Sequence, residues 1–386
     1  MSLKIVHVVR QFSPSVGGLE TSVLNLARVQ RGRLGIDARV VTMNRVFGRP
    51  EILSSEDVVA GIPIQRLPWR GSSRYPLVPS VLWHLQSADV VHVHAIDFFF
   101  DYLALTRPLH RGTMIASTHG GFFHTAQYAT AKKLWFNTVT RASIQAYHRI
   151  VACSHSDAEL FRSRAGRRLA VIENGIDQAR FTCASAPVQT RTIICFGRFA
   201  QHKGIGHLFP ILARLCALHP EWRLIVAGRE ADQTAEQLRA MANDAGIANA
   251  VRFVLNPSDA QLRSLIGEAS FSACLSAYEG FGLAAVEAMS AGLLPILSGI
   301  APFSRLVDDT KIGLIVDPSD PAGAAALVQG SVLDDAASYT RRRLQTMDAV
   351  RRYDWEEVAT RYADIYAQAL ALRHGTPITE RLRSGV

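Results

Sequence analysis

Two glutamates that could bind a hydroxyl-rich ligand lie in the stretch YEGFGLAAVEAMSAG, residues 278–292. Glu279 precedes GFG, and Glu287, separated from it by seven residues, lies inside an apolar, helix-like run. A carboxylate there is costly to bury unless a ligand hydroxyl or a backbone N–H pairs with it. Gly280 and Gly282 would leave backbone N–H groups open at the helix N-terminus, which favours an anionic ligand. The alternative is that the carboxylates only cap the helix.

Two cations lie at the end of the strand predicted over residues 192–198, TIICFGR, and shortly after it. Arg198 ends that strand, and Lys203 comes five residues later, before the next helix. Together they could hold a diphosphate, because arginine offers a planar fork and lysine a point charge. Alternatively, they are surface cations near a turn. The neighbouring GIGHLF only half matches a dinucleotide fingerprint, since Phe209 stands where the third glycine should be.

Glycine pairs follow two strands predicted in the first half. Gly17 and Gly18 open a helix, where their backbone N–H groups could approach an anion, although a plain turn is the alternative. The stretch STHGGFFHTA, residues 117–126, places His119 and His124 around a second pair. It can be interpreted as a catalytic loop or as a glycine-rich turn. The two interpretations do not exclude each other, because glycines can turn the chain while a histidine faces a ligand.

The elements that position these residues are short β-branched runs alternating with helical patterns, which is typical of α/β folds with parallel sheets. The irregular segment 181–191 predicts a linker, so we predict two Rossmann-like domains, residues 1–180 and 190–354. Ligands bind beyond the carboxyl ends of such strands, so the motifs should meet in a cleft between facing domains. Strands are predicted over residues 4–9, 37–43, 62–67, 89–94, 113–118, 149–154, 168–174, 192–198, 222–229, 251–256, 271–276, 293–299 and 313–317.

Composition excludes several classes of protein. With 48% hydrophobic and 19% charged residues, the 386-residue chain should be globular. The best membrane-span candidate, residues 281–297, is too short and carries Glu287 and Pro295. Arg10 interrupts the N-terminal apolar run, so a strand is favoured over a signal peptide, and a cytoplasmic location is expected. Five cysteines without a C-x-x-C pair suggest neither a disulfide framework nor a zinc site.

Positive charge is concentrated in the first half of the chain. Residues 1–180 hold 22 Lys and Arg against 12 Asp and Glu, whereas residues 181–386 hold 20 against 21. The segment 131–149, AKKLWFNTVTRASIQAYHR, mixes four cations with three aromatic residues. This mixture suits an anionic membrane surface or a polyphosphate. The alternative is an ordinary helix with solvated lysines and a buried aromatic face.

Taken in order, these motifs resemble the retaining glycosyltransferases of family 4, which have the GT-B fold. The matching features are the early Gly-Gly, the HG of residues 119–120, the GR and KG that open the second half, and EGFGLAAVE. The resemblance covers nearly the whole chain. It implies an N-terminal acceptor domain, a C-terminal nucleotide-sugar domain, and a final helix over about residues 355–386 that crosses back onto the first domain.

The resemblance also implies roles for individual residues. Glu279 would contact the donor sugar and Glu287 the ribose, while Arg198 and Lys203 would stabilise the departing diphosphate. His119 would lie near the C6 hydroxyl of the sugar. The predicted nucleotide-sugar contacts are Gly17, Gly18, Gly280, Phe281, Gly282, Leu283 and Glu287.

Four runs, residues 7–28, 70–82, 97–111 and 117–125, resemble more closely one branch of this family. Its members transfer α-mannose from GDP-mannose to cellobiose on a polyprenyl diphosphate in exopolysaccharide assembly. The resemblance therefore implies a nucleotide-sugar donor, a polyprenyl-diphosphate-linked acceptor, and peripheral contact of the basic first domain with the inner face of the plasma membrane. No nucleic-acid partner is expected, because no recognised nucleic-acid module is present.

The chain contains no D-x-D triplet, so no metal or other cofactor is expected. No carboxylate is an obvious nucleophile, which favours front-face attack with the leaving phosphate taking the acceptor's proton. Tyr75, Asp97 and His124 are candidates for acceptor contacts. A UDP-sugar donor, a nucleotide-sugar 2-epimerase and a non-catalytic module that binds nucleotide sugar or anionic lipid remain as alternatives.

Overall fold

The structure, a computed structural model, describes residues 2–73, 75–120, 134–333 and 335–374. Its contacts divide the chain into two compact units, Met1–Gly175 with Trp355–Val386, and Ile176–Asp354. Residues 176–180, expected at the end of the first domain, lie in the second unit. The segment 181–191 is packed into the second unit rather than serving as a linker, because Phe181 and Ala186 are buried.

The first unit is built on an eight-stranded sheet. Its strands lie in the order β10-β9-β8-β7-β1-β2-β4-β3, and only β3 is antiparallel to its neighbour. β5 and β6 form a separate antiparallel pair. The strands of this unit are β1 Lys4–Val8, β2 Asp37–Met43, β3 Glu56–Val59, β4 Ile62–Leu67, β5 Arg70–Ser72, β6 Tyr75–Leu77, β7 Val90–His94, β8 Thr113–Ser117, β9 Arg149–Ala152 and β10 Leu169–Val171.

The second unit is built on a six-stranded parallel sheet in the order β13-β12-β11-β14-β15-β16. Chain order reverses between β11 and β14, which creates the crevice where ligands bind in such sheets. Its strands are β11 Thr192–Phe199, β12 Arg223–Glu230, β13 Val251–Leu255, β14 Phe271–Cys274, β15 Leu294–Ser298 and β16 Leu314–Val316.

Helices cover these sheets, and their apolar faces form the cores with the strands. None of the described helices is long and apolar enough to cross a bilayer. The helices are α1 Gly18–Gly32, α2 Phe98–Leu105, α3 Arg141–Ile144, α4 His155–Ala165, α5 Gln178–Phe181, α6 Leu208–Leu218, α7 Ala235–Asp244, α8 Asp259–Ile266, α9 Leu283–Ser290, α10 Ala301–Thr310, α11 Pro321–Gly330, α12 Ala336–Ala349 and α13 Trp355–His374.

The last helix, α13, belongs to the first unit and packs against α1 and β8. Trp355 and Tyr362 are buried in the core of that unit. Tyr366 is fully buried beside them. The helix therefore brings two tyrosine hydroxyl groups into the interior of the first unit.

Every strand predicted from the sequence is present, because parallel strands buried on both faces read as nearly continuous β-branched runs. The strands β3, β5 and β6 were not predicted. β3 and β5 are largely exposed, and all three are only three or four residues long, so they carry little hydrophobic pattern.

Candidate active site

The loop after β11 is held against the end of β14. Gly204 has a φ of +65°, and a Cβ atom there would stand 2.1 Å from the carbonyl oxygen of Leu275. Only glycine allows both this backbone conformation and this close approach. The loop is also tied by a 2.8 Å hydrogen bond from the Ala277 N–H to the His202 carbonyl. The sequence HKG therefore places Lys203 beside the residues that follow β14.

Lys203 and Glu279 form an ion pair at this place. The Nζ atom of Lys203 lies 2.5 Å from Oε1 of Glu279, and the Ser276 hydroxyl donates to the same oxygen at 2.8 Å. The two charged side chains are 22% and 12% exposed, so partial shielding from water strengthens their attraction. A phosphate group and a sugar hydroxyl are the ligand groups that could bind these two charges.

Arg198 is the penultimate residue of β11, and its side chain is exposed. Arg198 and Lys203 line one pocket together with Gly197 and Cys274. The structure therefore brings together the two residues predicted to hold a diphosphate. Their assignment to that ligand stays a prediction.

The glycines of EGFG form the start of α9. Gly282 is the N-cap residue with a φ of +93°, and a Cβ atom there would stand 2.5 Å from Cε1 of Phe303. Helix α9 begins at Leu283, so the backbone N–H groups of its first turn lie directly after Gly282. The ring of Phe281 packs edge-on against Tyr353, with centroids 5.2 Å apart, which leaves its backbone as the part able to contact a ligand.

Glu287 lies in the middle of α9. A ligand hydroxyl or a backbone N–H was the partner expected from the sequence, but in the structure the Arg180 side chain pairs with it. Nη1 of Arg180 lies 3.4 Å from Oε1 of Glu287, and Nη2 lies 2.5 Å from Oδ1 of Asp259. Burial raises the pKa of the Glu287 carboxyl, while Arg180 opposes this rise. Arg180 and Glu287 are 107 residues apart, so no local pattern could have paired them.

The predicted histidine, His119, follows β8 in a constrained turn. Its φ is +51°, an unusual value for a residue other than glycine, and such strain persists only where the surroundings enforce it. Here Asp157 enforces it, because its Oδ2 atom accepts hydrogen bonds from the Thr118 hydroxyl at 2.7 Å and the Gly120 N–H at 2.9 Å. Gly121 and His124 lie outside the described residues.

Both ring nitrogens of His119 are engaged. Nε2 lies 2.9 Å from Nδ1 of His94, and Nδ1 lies 3.6 Å from Sγ of Cys153. Burial lowers the pKa of His119 to about 4, so the ring is neutral near pH 7. A sugar hydroxyl can bind this imidazole only by replacing one partner, and the thiol contact is the longer and weaker one. The sugar contact of His119 stays a prediction.

Gly17 and Gly18 stand at the start of α1. Gly17 is its N-cap in an extended conformation, and Gly18 is exposed with open space where a side chain would be. Backbone N–H groups at such a helix start attract anions. The carboxylate of Glu20 also lies in this first turn and accepts from the Ser15 hydroxyl at 3.2 Å. The diphosphate contact of the two glycines stays a prediction.

Two of the acceptor candidates lie close together in the first unit. Asp97 caps α2 by accepting from the Phe99 N–H at 3.0 Å, but its buried Oδ2 has no hydrogen-bond partner among the described residues. Burial raises the pKa of Asp97 to about 7, against the attraction of Arg10. The Tyr75 hydroxyl lies 3.4 Å from Oδ2 of Asp101. A buried carboxyl oxygen without a partner is well suited to a ligand hydroxyl.

The basic aromatic segment is described only from residue 134 onward, so Lys132 and Lys133 lie outside the described residues. Within it, Phe136 and Tyr147 are buried, and the Trp135 indole donates to Asp101 at 3.0 Å. The aromatic face is thus largely packed, which favours the ordinary-helix alternative for that face. Arg141 stays exposed.

A metal site was not expected, yet three histidines stand close enough to form one. His7, His92 and His94 are the group in the described part of the chain whose ligand atoms could hold an ion, all within 4.8 Å of one another. Each of their ring nitrogens already takes part in a hydrogen bond. A metal ion would have to break these bonds, so the geometry favours a hydrogen-bonded cluster.

Two family models match the two halves of the chain. The model "Glycosyltransferase Family 4" matches residues 16–180, and the model "Glycosyl transferases group 1" matches residues 184–346. The boundary between them lies near the boundary between the two units of the structure.

Three named relatives match almost the full chain. A protein of Komagataeibacter xylinus is 56% identical over 96% of this chain and 94% of the relative. Proteins of Xanthomonas oryzae pv. oryzae and Xanthomonas campestris are 48% and 47% identical over 96% and 98% of this chain, and 98% and 99% of the relatives. All three bear the name GDP-mannose:cellobiosyl-diphosphopolyprenol alpha-mannosyltransferase.

Solved structures share the fold. Anabaena Alr3699/HepE in complex with UDP superposes with a TM-score of 0.72 at 17% identity, covering 95% of this chain and all of that one. A glycosyltransferase from Rickettsia africae gives a TM-score of 0.71 at 15% identity, covering 96% of this chain and 99% of that one. The predicted GT-B fold is confirmed.

Proposed function

The chain belongs to glycosyltransferase family 4, and from this premise we propose that it transfers α-mannose from GDP-mannose to cellobiosyl-diphosphopolyprenol. The observation that carries the proposal is 47–56% identity, over at least 96% of this chain, to three transferases of that name. At this similarity the donor and acceptor of the relatives are the substrates to test first.

In the proposed reaction, the bond from mannose C1 to the diphosphate oxygen breaks, and a bond from C1 to an acceptor hydroxyl oxygen forms on the same face. The acceptor proton passes to the departing phosphate oxygen, and GDP leaves. The main energetic demand is the negative charge that develops on the diphosphate. Arg198 and Lys203 would stabilise that charge, and the pocket that both residues line supports this role.

We also propose that no metal ion is needed, because two protein cations can supply the charge. Excess chelator should then leave the transfer rate unchanged. Loss of activity that added Mg²⁺ or Mn²⁺ restores would contradict this part of the proposal.

Glu279 and Glu287 would orient the donor. The Glu279 carboxylate, held by Lys203 and Ser276, can accept a hydrogen bond from a mannose hydroxyl. Glu287, fixed by Arg180, can accept from the ribose hydroxyls. When the diphosphate binds, Lys203 must divide its interaction between the phosphate and Glu279, so donor binding and sugar orientation are coupled.

On the acceptor side, we propose that Asp97 binds a glucosyl hydroxyl of the lipid-linked disaccharide. Its buried Oδ2 without a described partner is the observation that supports this role. The Tyr75 hydroxyl contacts the carboxylate of the neighbouring Asp101, so Tyr75 could line the same acceptor site.

The acceptor is a membrane lipid, so we propose that the first unit binds the inner face of the plasma membrane peripherally. Its sequence carries most of the positive charge, which suits anionic lipid. Its exposed large apolar side chains include Trp83, Leu105 and Leu109, at 79%, 81% and 62%. The Gln86 amide joins two of their segments by donating to the carbonyls of Leu82 and Leu109.

Flotation with vesicles tests membrane binding separately from catalysis. Binding to vesicles containing anionic lipid should fall in Trp83→Ser, while Leu344→Ser, which alters an exposed leucine of the second unit, serves as the matched control. Equal flotation of all three proteins, or none for the wild type, would contradict the proposed surface.

The activity itself is tested with GDP-mannose and a cellobiosyl-diphosphate lipid. Mass spectrometry should show the lipid gaining one hexose, while donor alone should yield no epimer. Free epimer without acceptor would support the epimerase alternative. Binding of GDP without any sugar transfer would support a non-catalytic module.

A further inference from the structure

Nine polar groups inside the first unit form a closed circle of hydrogen bonds, here called the histidine ring. Eight of them are buried, and His119 is the half-exposed one. Of these nine residues, only His119 was predicted to contact the donor sugar. The members, in order around the ring, are Gln30, Tyr366, His92, Ser117, Tyr362, Cys153, His119, His94 and His7.

One half of the ring joins the first strands to the last helix. Nε2 of His7 lies 2.7 Å from Oε1 of Gln30, whose amide nitrogen donates to the Tyr366 hydroxyl at 3.1 Å. That hydroxyl lies 2.8 Å from Nδ1 of His92. Nε2 of His92 lies 2.8 Å from the Ser117 hydroxyl oxygen.

The other half returns through the thiol. The Ser117 and Tyr362 hydroxyl oxygens are 3.0 Å apart, and the Tyr362 hydroxyl lies 3.9 Å from Sγ of Cys153. His119 then links the Cys153 thiol to His94 through the two hydrogen bonds described above. Nε2 of His94 then closes the circle on Nδ1 of His7 at 2.9 Å.

All ring members are neutral near pH 7. Burial lowers the pKa of His7 and His119 to about 4 and that of the other two ring histidines well below 6.5. Burial also raises the pKa of Cys153 to about 12 and that of both tyrosines above 10. Each member can therefore donate one hydrogen bond and accept one around the circle.

A circle in which every member donates once and accepts once must run in a single direction. With the Gln30 amide as in the structure, its nitrogen donates to Tyr366, and each of the four histidines carries its hydrogen on Nε2. The opposite direction requires the Gln30 amide to turn over, and all four then carry the hydrogen on Nδ1. The four tautomers are thus coupled.

We propose that Tyr362 and Tyr366 of α13 are positioning residues for sugar transfer: through the histidine ring they fix the tautomer and orientation of the His119 imidazole. The inference rests on the proposed function, because it needs a donor sugar in contact with His119, as the sequence predicts. The direction of the ring decides whether His119 Nδ1 accepts from or donates to a mannose hydroxyl.

The weakest part of the ring lies next to His119, the proposed contact of the donor sugar. The two contacts of Cys153, 3.6 and 3.9 Å long, are the longest in the circle. A sugar hydroxyl that takes Nδ1 of His119 replaces only a weak thiol bond. The bond from Nε2 of His119 to His94 stays in place and continues to hold the imidazole.

The first test is NMR of protein labelled with ¹⁵N-histidine, which reads each tautomer without substrate. The wild type should show the four ring histidines in one shared tautomer. Tyr366→Phe removes a donor to His92 and an acceptor for Gln30, so the His119 nitrogen signals should shift toward a mixture of tautomers. The proposal would be overturned if the four ring histidines of the wild type did not all share one tautomer. Unchanged His119 signals in the variant would also overturn it.

The second test separates positioning from general stability. Tyr366→Phe should lower kcat about tenfold, the effect of losing about 1.4 kcal/mol of barrier stabilisation, while the Kd of GDP stays unchanged. Tyr339→Phe is the matched control, because it removes a buried, hydrogen-bonded tyrosine hydroxyl from the second unit. An unchanged kcat in Tyr366→Phe, or an equal loss in the control, would contradict a positioning role.

A third test, with two variants of Cys153, keeps the inference testable if Tyr366→Phe does not fold. Cys153→Ala opens the ring at its longest contacts and should disturb the His119 tautomer and lower kcat. Cys153→Ser restores a hydroxyl donor and should restore both. Equal behaviour of the two variants would overturn the proposal. If the wild type transfers no mannose but its four tautomers are shared, the proposed function fails and the ring itself stands.

Discussion

Lys203 and Glu279 neutralise each other across the loops that follow β11 and β14, with 2.5 Å between Nζ and Oε1. The residue proposed to stabilise the leaving diphosphate is therefore the partner of the residue proposed to orient the sugar. Removal of either side chain leaves a partly buried charge without its partner, so each single substitution affects both roles.

Arg198 should be the more direct probe of the leaving group, because its side chain is exposed at the end of β11. Arg198→Ala should lower kcat roughly 100- to 1,000-fold, the scale of losing one donor to a developing anion. Arg214→Ala, which removes an exposed arginine from α6, should change kcat by less than about twofold. An unchanged rate in Arg198→Ala would remove this residue from the mechanism.

Glu279→Ala should reduce turnover even when the donor is saturating, because an unoriented sugar reacts more slowly after it has bound. We expect a loss of tenfold or more in kcat, the effect of about 1.4 kcal/mol. The measurement is steady-state transfer at several GDP-mannose concentrations. Normal turnover at saturation, with only a higher KM, would limit Glu279 to donor binding.

Gly204→Ala should displace the loop that carries Lys203. A Cβ atom at this position would clash with the Leu275 carbonyl at 2.1 Å, in addition to the strain of a φ of +65°. Gly246→Ala is the matched control, since its φ is +69° but nothing lies within 4 Å of the added atom. Both variants should lose about 1 kcal/mol of stability from backbone strain, and only Gly204→Ala should also lose most activity. Equal activities would show that the close approach is unimportant.

The unfolding free energy should reveal the protonated state of Asp97. Burial raises the pKa of this carboxyl to about 7 from 3.8, so between these values the folded state holds a proton that the unfolded state has lost. Its contribution to stability is therefore complete below pH 3.8 and is lost as pH rises through 7. Asp97→Asn mimics the neutral acid and should not lose this stability as pH rises. Its unfolding free energy relative to that of the wild type should therefore increase by about 4 kcal/mol from pH 4 to pH 8.

Denaturant unfolding of both proteins across this range measures the difference. If the wild type and Asp97→Asn differ by the same amount at every pH, Asp97 is not protonated in the folded state at pH 6. Its carboxylate would then have to bind the acceptor as a charged group.

The strands of the sheets and the donor motifs could be predicted from the sequence, because each depends on residues that are close together along the chain. Buried parallel strands read as apolar runs, and the KG and EGFG glycines sit where the backbone needs a left-handed turn, at Gly204 and Gly282. The same locality explains why the cations and glutamates that follow β11 and β14 could be grouped before their distances were known.

The rest depended on long-range contacts. The partner of Glu287 is Arg180, 107 residues away, and the ring that holds His119 joins residues up to 336 positions apart in sequence. The histidines of β1 and β7 and the tyrosines of α13 were not among the predicted site residues. Hydrogen bonds between side chains of distant elements leave no periodic signal in a single sequence.

The most direct test of the proposed activity is a competition between GDP-mannose and UDP-glucose for one lipid-linked cellobiose acceptor, with the product digested by linkage-specific glycosidases. The account predicts a trisaccharide lipid that carries a single mannose, which α-mannosidase removes completely. A product that carries glucose, or a mannose that only β-mannosidase removes, would contradict it.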